Sequence, residues 1–317
     1  MALAGLTALE TVRQPICLIL VTTSILLMAL AALQAYQFGE EGKFVRDGAL
    51  AIHFFFGLLI AAYAACTALS REFRNGTAAA VLCKPVSRGL FFASKFAGIA
   101  LVIILFSVCA TSATLLSEQA APRMYEVDWR TIGLMAAAVV AAYAAAGLAN
   151  YIWKRPFAST ALSIMLLLML AALIFIALRH EPPTLVEDED GHSMLVERAV
   201  QWNLVPASML IAMALLVLAA IALALATRLD TVPVVLLCCG VLLLGLMSDY
   251  LFGRSASPAA VLAHRLIPNW QHFWLADALT GNGRISWRYV GAAGLYALLY
   301  GGAMLGIGAL SFRHKEA

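Results

Sequence analysis

Long apolar stretches alternate with short polar ones from one end of the chain to the other. Eight apolar runs reach the ~20 residues a helix needs to cross a hydrocarbon core, at 16–36, 50–69, 96–116, 132–153, 157–178, 205–227, 232–252 and 289–312. Polar connections fall at 38–48, 70–95, 117–131, 154–156, 179–204, 228–231 and 253–288. No run alternates with period two, which argues against a transmembrane β-barrel. The pattern predicts an all-α fold, a polytopic transmembrane helical bundle of about eight spans forming one domain over residues 1–317.

Composition agrees with this reading. The chain is 63% hydrophobic and 12% charged, with mean hydropathy +0.89. A soluble domain carries about 25% charged residues, so this chain cannot cover a water-facing surface and lipid must solvate most of it. Net charge is only +3 and is spread over the loops, so nothing points to nucleic acid. Cys17, Cys66, Cys109, Cys238 and Cys239 lie in apolar runs and Cys83 in a polar loop. No metal-ligand spacing joins them, and they read as small buried apolar side chains. The first run is longer than a signal-peptide core and is preceded by few basic residues, so it reads as a retained span.

Charge sets the expected orientation. With the N-terminus inside, eleven of the 21 basic residues lie inside, among them Lys154, Arg155 and Arg228 in tight turns, where the positive-inside rule acts most strongly. Four of the 18 acidic residues, Glu10, Glu72, Asp230 and Glu316, lie on that side. Both termini are therefore expected inside. The spans carry almost no charge. Asp249 sits near one end of its run and His53 near the start of another. Ion-coupled carriers place ionisable groups deep in the bundle, and membrane enzymes need an acid or base at the site, so the pattern disfavours both.

Three polar segments carry further information. In 1–15, Leu6, Leu9 and Val12 share one helix face, Glu10 and Arg13 can pair at i,i+3, and Pro15 turns the chain. This reads as an interfacial helix, or as a frayed tail before the first span. In 70–95, Asn75-Gly76 is a turn signal, Thr77 can cap a helix through Cys83, Pro85 ends it, and Ser87 can cap a second helix running through Lys95. Twenty-six residues exceed what two spans need to connect them, which suggests a docking surface. In 253–288, Pro268-Asn269 would start a helix whose Trp270, Phe273 and Trp274 share a face. That face reads either as an aromatic anchor at the interface or as a gate helix dipping into the outer leaflet. Gly302 and Gly306 form a small-xxx-small pair in the last run, expected to support close packing inside the bundle rather than between subunits.

Taken together, these segments resemble the type-2 ABC exporter permeases. The resemblance rests on Thr7, Glu10, Arg13 and Pro15 at the start, and on Glu72, Gly76, Thr77, Pro85, Ser87, Arg88 and Lys95 in the inner loop. It also rests on Pro268, Asn269 and Phe273 in the last outer loop, and on Phe312-Arg313 with trailing charges at the end. It implies a multi-pass permease subunit of a bacterial-type inner membrane that works as one of a homo- or heteromeric pair. Cytoplasmic ABC ATPase subunits holding ATP and Mg would drive it. Residues 70–95 would form the ATPase-coupling helix, Glu10 and Arg13 would lie on the interfacial helix, and Pro268, Asn269 and Phe273 would form an extracytoplasmic gate, with possible re-entrant helices in that loop. Glu72 and Arg88 would pair with each other or with the ATPase.

The family core has six spans, so two of the eight expected here are additional, assigned to 205–227 and 232–252 with the short turn between them. The pattern G-x-x-x-x-G-K-[ST] does not occur in the sequence, so ATP hydrolysis is expected in a separate chain and no cofactor in this one. Two other readings remain: a membrane anchor or assembly factor for an ATPase complex that transports nothing, and a secondary transporter or channel.

Overall fold

Each apolar run folds as a helix, because a backbone in lipid must satisfy its own hydrogen bonds. The computed structural model of the chain describes residues 2–33, 41–74, 88–122, 127–179, 184–187, 193–196, 199–253, 257, 261, 267–276, 278–279 and 283–313. In order, the elements are α1 (Ala2–Val12), α2 (Pro15–Ala31), α3 (Glu41–Arg74), α4 (Arg88–Ala120), α5 (Trp129–Trp153), α6 (Phe157–Leu178), β1 (Thr184–Glu187), β2 (Ser193–Val196), α7 (Leu204–Leu225), α8 (Thr231–Leu246), α9 (Ser248–Leu251), a 3₁₀ turn at Trp270–His272, and α10 (Trp287–Arg313). The all-α polytopic bundle is as expected, with one addition. β1 and β2 pair antiparallel, Leu185 opposite Leu195, within the acidic 179–204 segment.

Fewer spans than the expected eight are seen. Among the described residues, six helices are long and apolar enough to cross alone, and a seventh crossing counts if α1 and α2, bent by 65° at Arg13-Gln14, act as one broken span. The run at 232–252 gives only the 16-residue α8, about 24 Å long against a core of about 30 Å. α3 and α4 depart in the other direction. At 34 and 33 residues they are each about 50 Å long and overrun the core.

The core is built by small residues that let helices approach. α7 lies at its centre against α3, α4 and α10. Ala214, Leu215, Ala219, Ala220, Ala222 and Leu223 along it are fully buried. Residues 205–227, expected as one of the additional spans, thus lie in the middle of the bundle. On α10 the inward glycines are Gly294, Gly301 and Gly308, facing Met213, Ala220 and the Phe92–Ala224 contact. Gly302 and Gly306 point the other way, with nothing within 4 Å, so the expected packing pair faces out of the bundle.

Local signals behave as their chemistry dictates. Asp128 caps α5, accepting from the N–H groups of Arg130 and Thr131 at 3.0 and 3.3 Å. Lys154 closes that helix in the left-handed region at φ 52°, and Pro156 precedes α6, giving the tight turn. Arg228 donates to the Ser311 hydroxyl at 3.2 Å and to its carbonyl at 3.4 Å, covering the end of α10. Cys17, Cys66, Cys109 and Cys238 are buried and Cys239 half-buried, as expected of apolar cysteines, while Cys83 lies outside the described residues.

Candidate functional site

The most fully built polar constellation lies where α8 ends early. Residues 268–273 reach back along the last turns of α8, and the Trp270 indole N–H donates to the Val241 carbonyl at 3.0 Å. Gln271 donates from Nε2 to the Leu246 carbonyl at 3.1 Å. The second bond occupies one of the last carbonyls of α8, which lacks an intrahelical partner, while the first is an extra bond to a carbonyl inside the helix. Asn269 organises the turn from its first position. Its side-chain oxygen accepts from the Gln271 N–H at 2.9 Å, its Nδ2 donates to Asp249 Oδ1 at 3.1 Å, and its backbone N–H donates to the Tyr296 hydroxyl at 3.3 Å. Tyr289 donates to the His272 carbonyl at 2.8 Å.

Packing locks the turn. Trp270 is fully buried and Phe273 is only 2% exposed. Trp270 meets Phe54 of α3 edge-on at 6.3 Å, and Phe273 lies 5.9 Å from Tyr296 of α10. Gly245 permits the approach: a Cβ there would lie 2.2 Å from the Trp270 ring and 2.3 Å from the Pro268 carbonyl oxygen. The anchor reading of this aromatic face is thereby corrected, because Trp270 and Phe273 face protein rather than the membrane interface. Sequence reasoning singled out Pro268, Asn269 and Phe273 but missed Gly245 and Asp249 as their partners. Beside the turn, Arg46 of α3 donates to the Leu279 carbonyl at 3.1 Å, at the edge of a polar cavity of about 430 Å³ that Lys43, Glu118, Gln201 and Asn203 also line.

α1 does not lie apart from the bundle. Its Thr7, Ala8 and Thr11 face is buried, while Leu6 and Leu9 face out at 51% exposure each. Gly98 of α4 makes room for it, since a Cβ there would lie 2.6 Å from the Ala4 carbonyl oxygen. Glu10 is half-buried and Arg13 exposed, and no ion pair joins them.

In the inner loop, Glu72 falls in the last turn of α3 and Arg88 starts α4. Their side chains, and all of Gly76, Thr77, Pro85 and Ser87, lie outside the described residues. Lys95 is described, and it is buried in the bundle with Nζ 5.5 Å from the Phe91 ring centroid rather than on an exposed face. Phe91 stacks on Phe312 at 5.9 Å, so the start of α4 is fastened to the end of α10. His53 is wholly buried, edge-on to Phe106 at 5.6 Å.

Apolar helices long enough to cross a bilayer, two of which overrun it, define a multi-pass membrane protein. Residues 11–153 match the family model described as ABC-2 family transporter protein. Over this stretch the chain is similar to that family, as the sequence resemblance led us to expect. No match to a curated protein accompanies it.

Proposed function

We propose that this chain is the membrane subunit of an ATP-driven exporter, pairing with a second permease subunit and driven by separate cytoplasmic ATPase subunits that hold ATP and Mg. The observation that carries this reading is the family match, which spans the whole 70–95 loop, together with the two ~50 Å helices that flank it. Both termini and that loop lie on the cytoplasmic side of a bacterial-type inner membrane. Glu72, Gly76, Thr77, Pro85, Ser87 and Arg88 form the docking element, and Lys95 braces its base from inside the bundle. Pro268, Asn269 and Phe273 form the extracytoplasmic gate.

The mechanism is mechanical. An ATPase that binds the loop differently in its nucleotide states shifts the permease between conformations by that difference in affinity. α3 carries the displacement. Its Phe54 meets Trp270 of the outer turn, and it ends at Arg74, 20 residues or about 30 Å further on. α4 carries α1 with it through the Gly98 contact. The outer turn is tied to α3, α8, α9 and α10, so relative movement of α3 opens it.

Gly76→Val and Arg88→Glu test the reading in reconstituted vesicles. Each variant inserts and folds, yet uncouples ATP hydrolysis from transport or releases the ATPase. Normal ATPase association with normal flux in both variants refutes the coupling role. Loss of folded protein in both means that the loop only braces α3 and α4.

A further inference from the structure

Arg46 lies in the second turn of α3 with its side chain only 13% exposed. Its Nε donates to Asp47 Oδ1 at 3.0 Å and its Nη1 to the Leu279 carbonyl at 3.1 Å. The Leu279 bond fastens the start of α3 to the segment that follows the 268–273 turn. Nη2 is buried and has no hydrogen-bond partner among the described residues. A buried cationic donor left unmade is costly, so an arrangement that supplies it with an acceptor is favoured.

A carboxylate stands within reach. Glu118, in the last turn of α4, is 8% exposed and lines the same cavity of about 430 Å³ as Arg46 and Leu279. Its Oε1 lies 3.9 Å from where a Cβ on Gly42 would be. Gly42 is one turn before Arg46, and positions one turn apart on a helix are about 5–6 Å apart at Cβ. The long arginine side chain can therefore reach that carboxylate by rotating about its own bonds, and the cavity gives the guanidinium room to swing. Lys43 lines the cavity as well, but an ammonium meets a carboxylate at one point where a guanidinium meets it at two. Asp47 travels with α3 and favours neither direction.

We propose that Arg46 is a two-position clasp. In the position seen here it holds the Leu279 carbonyl, and with it the 275–279 segment. In the other it turns Nη1 and Nη2 to Glu118 as a bidentate pair, which ties α3 to α4 and releases the segment. The carbonyl holds the segment but leaves Nη2 unpaired, whereas the carboxylate takes both nitrogens. The inference does not rest on the ATPase reading, because residues of this chain set both positions.

Hydrogen exchange of the full chain in nanodiscs, without ATPase or nucleotide, tests the clasp through peptides covering 275–279. Ala278 and Leu279 donate their backbone N–H groups to the Leu275 and Ala276 carbonyls, so their amides report whether the segment is held. Two variants push in opposite directions. Arg46→Gln removes the clasp from both positions, and exchange there should speed up severalfold. Glu118→Gln removes only the second position, so the clasp stays on Leu279 and exchange should slow severalfold. Damage to packing alone would speed exchange in both variants. Faster or unchanged exchange in Glu118→Gln overturns the proposal, as does unchanged exchange in Arg46→Gln. If Arg46→Gln does not fold, Glu118→Gln alone decides, because damaged packing cannot slow exchange. If Glu118→Gln does not fold, Glu118→Asp, which draws the carboxylate back from Arg46, replaces it with the same expected sign.

Discussion

The two ends of the bundle are built on opposite principles. At the 268–273 end, a short irregular segment is tied by hydrogen bonds to α8, α9 and α10, and its Trp270 and Phe273 rings are among the most buried in the protein. At the 70–95 end, α4 runs past its apolar stretch before entering the core, and its base is pinned by Phe91, Lys95 and Phe312 inside the bundle. The first end derives its identity from self-contact, so damage there should appear as lost stability. On the proposed function the second meets an ATPase, so damage there should appear as lost coupling. The proposed mechanism uses this asymmetry, with one end held closed until it is pulled and the other gripped.

The sharpest way to break the contrast is Gly245→Val. Its side chain would occupy the space of the Trp270 ring and the Pro268 carbonyl, and backbone cannot give way cheaply. We expect a large drop in thermal stability in detergent, comparable to Trp270→Ala, which forfeits about 3–5 kcal/mol for a fully buried tryptophan. Unchanged melting of both variants would mean that the turn is not a structural lock. Next in size is Gly98→Leu, whose side chain meets the Ala4 carbonyl and Thr7. It should detach α1 while leaving α3 and α7 packed, read as increased protease access near Arg13 with a modest loss of melting temperature. The smallest effect belongs to Gly306→Leu. With nothing within 4 Å of its Cα substituent, it should leave the stability of a single subunit within about 0.5 kcal/mol, as for a surface substitution. A marked loss in that variant would instead place a partner against α10.

What the sequence disclosed follows from the range of the forces involved. Apolar runs, tight turns and caps are local, so most of the spans could be placed, and Asp128 and Pro156 act where their chemistry puts them. Which face of a helix is inward is not local in a chain whose solvent is as apolar as its core. Gly302 and Gly306 carry the same small-xxx-small signal as the buried glycines of α10, yet Gly294, Gly301 and Gly308 are the ones that meet α7. The seven-residue spacing of that second set was a readable cue. Trp270 misled for a related reason. An aromatic next to a span reads as an interface anchor, and only the folded chain brings the Val241 and Leu246 carbonyls of α8 against its turn. Lys95 belongs with these cases, since a lysine beside a basic loop reads as exposed while its stem lies among the rings of α4 and α10.

The central claim is that this chain is driven by a separate ATPase gripping residues 70–95. The most direct measurement purifies the tagged full chain from its own membranes in mild detergent, identifies any ATPase polypeptide that accompanies it, and repeats the purification with Arg88→Glu. The account predicts an ABC ATPase with the native chain, its loss or uncoupling in the variant, and a monodisperse permease in both. A chain that purifies without any ATPase and moves solute through vesicles without nucleotide would contradict it.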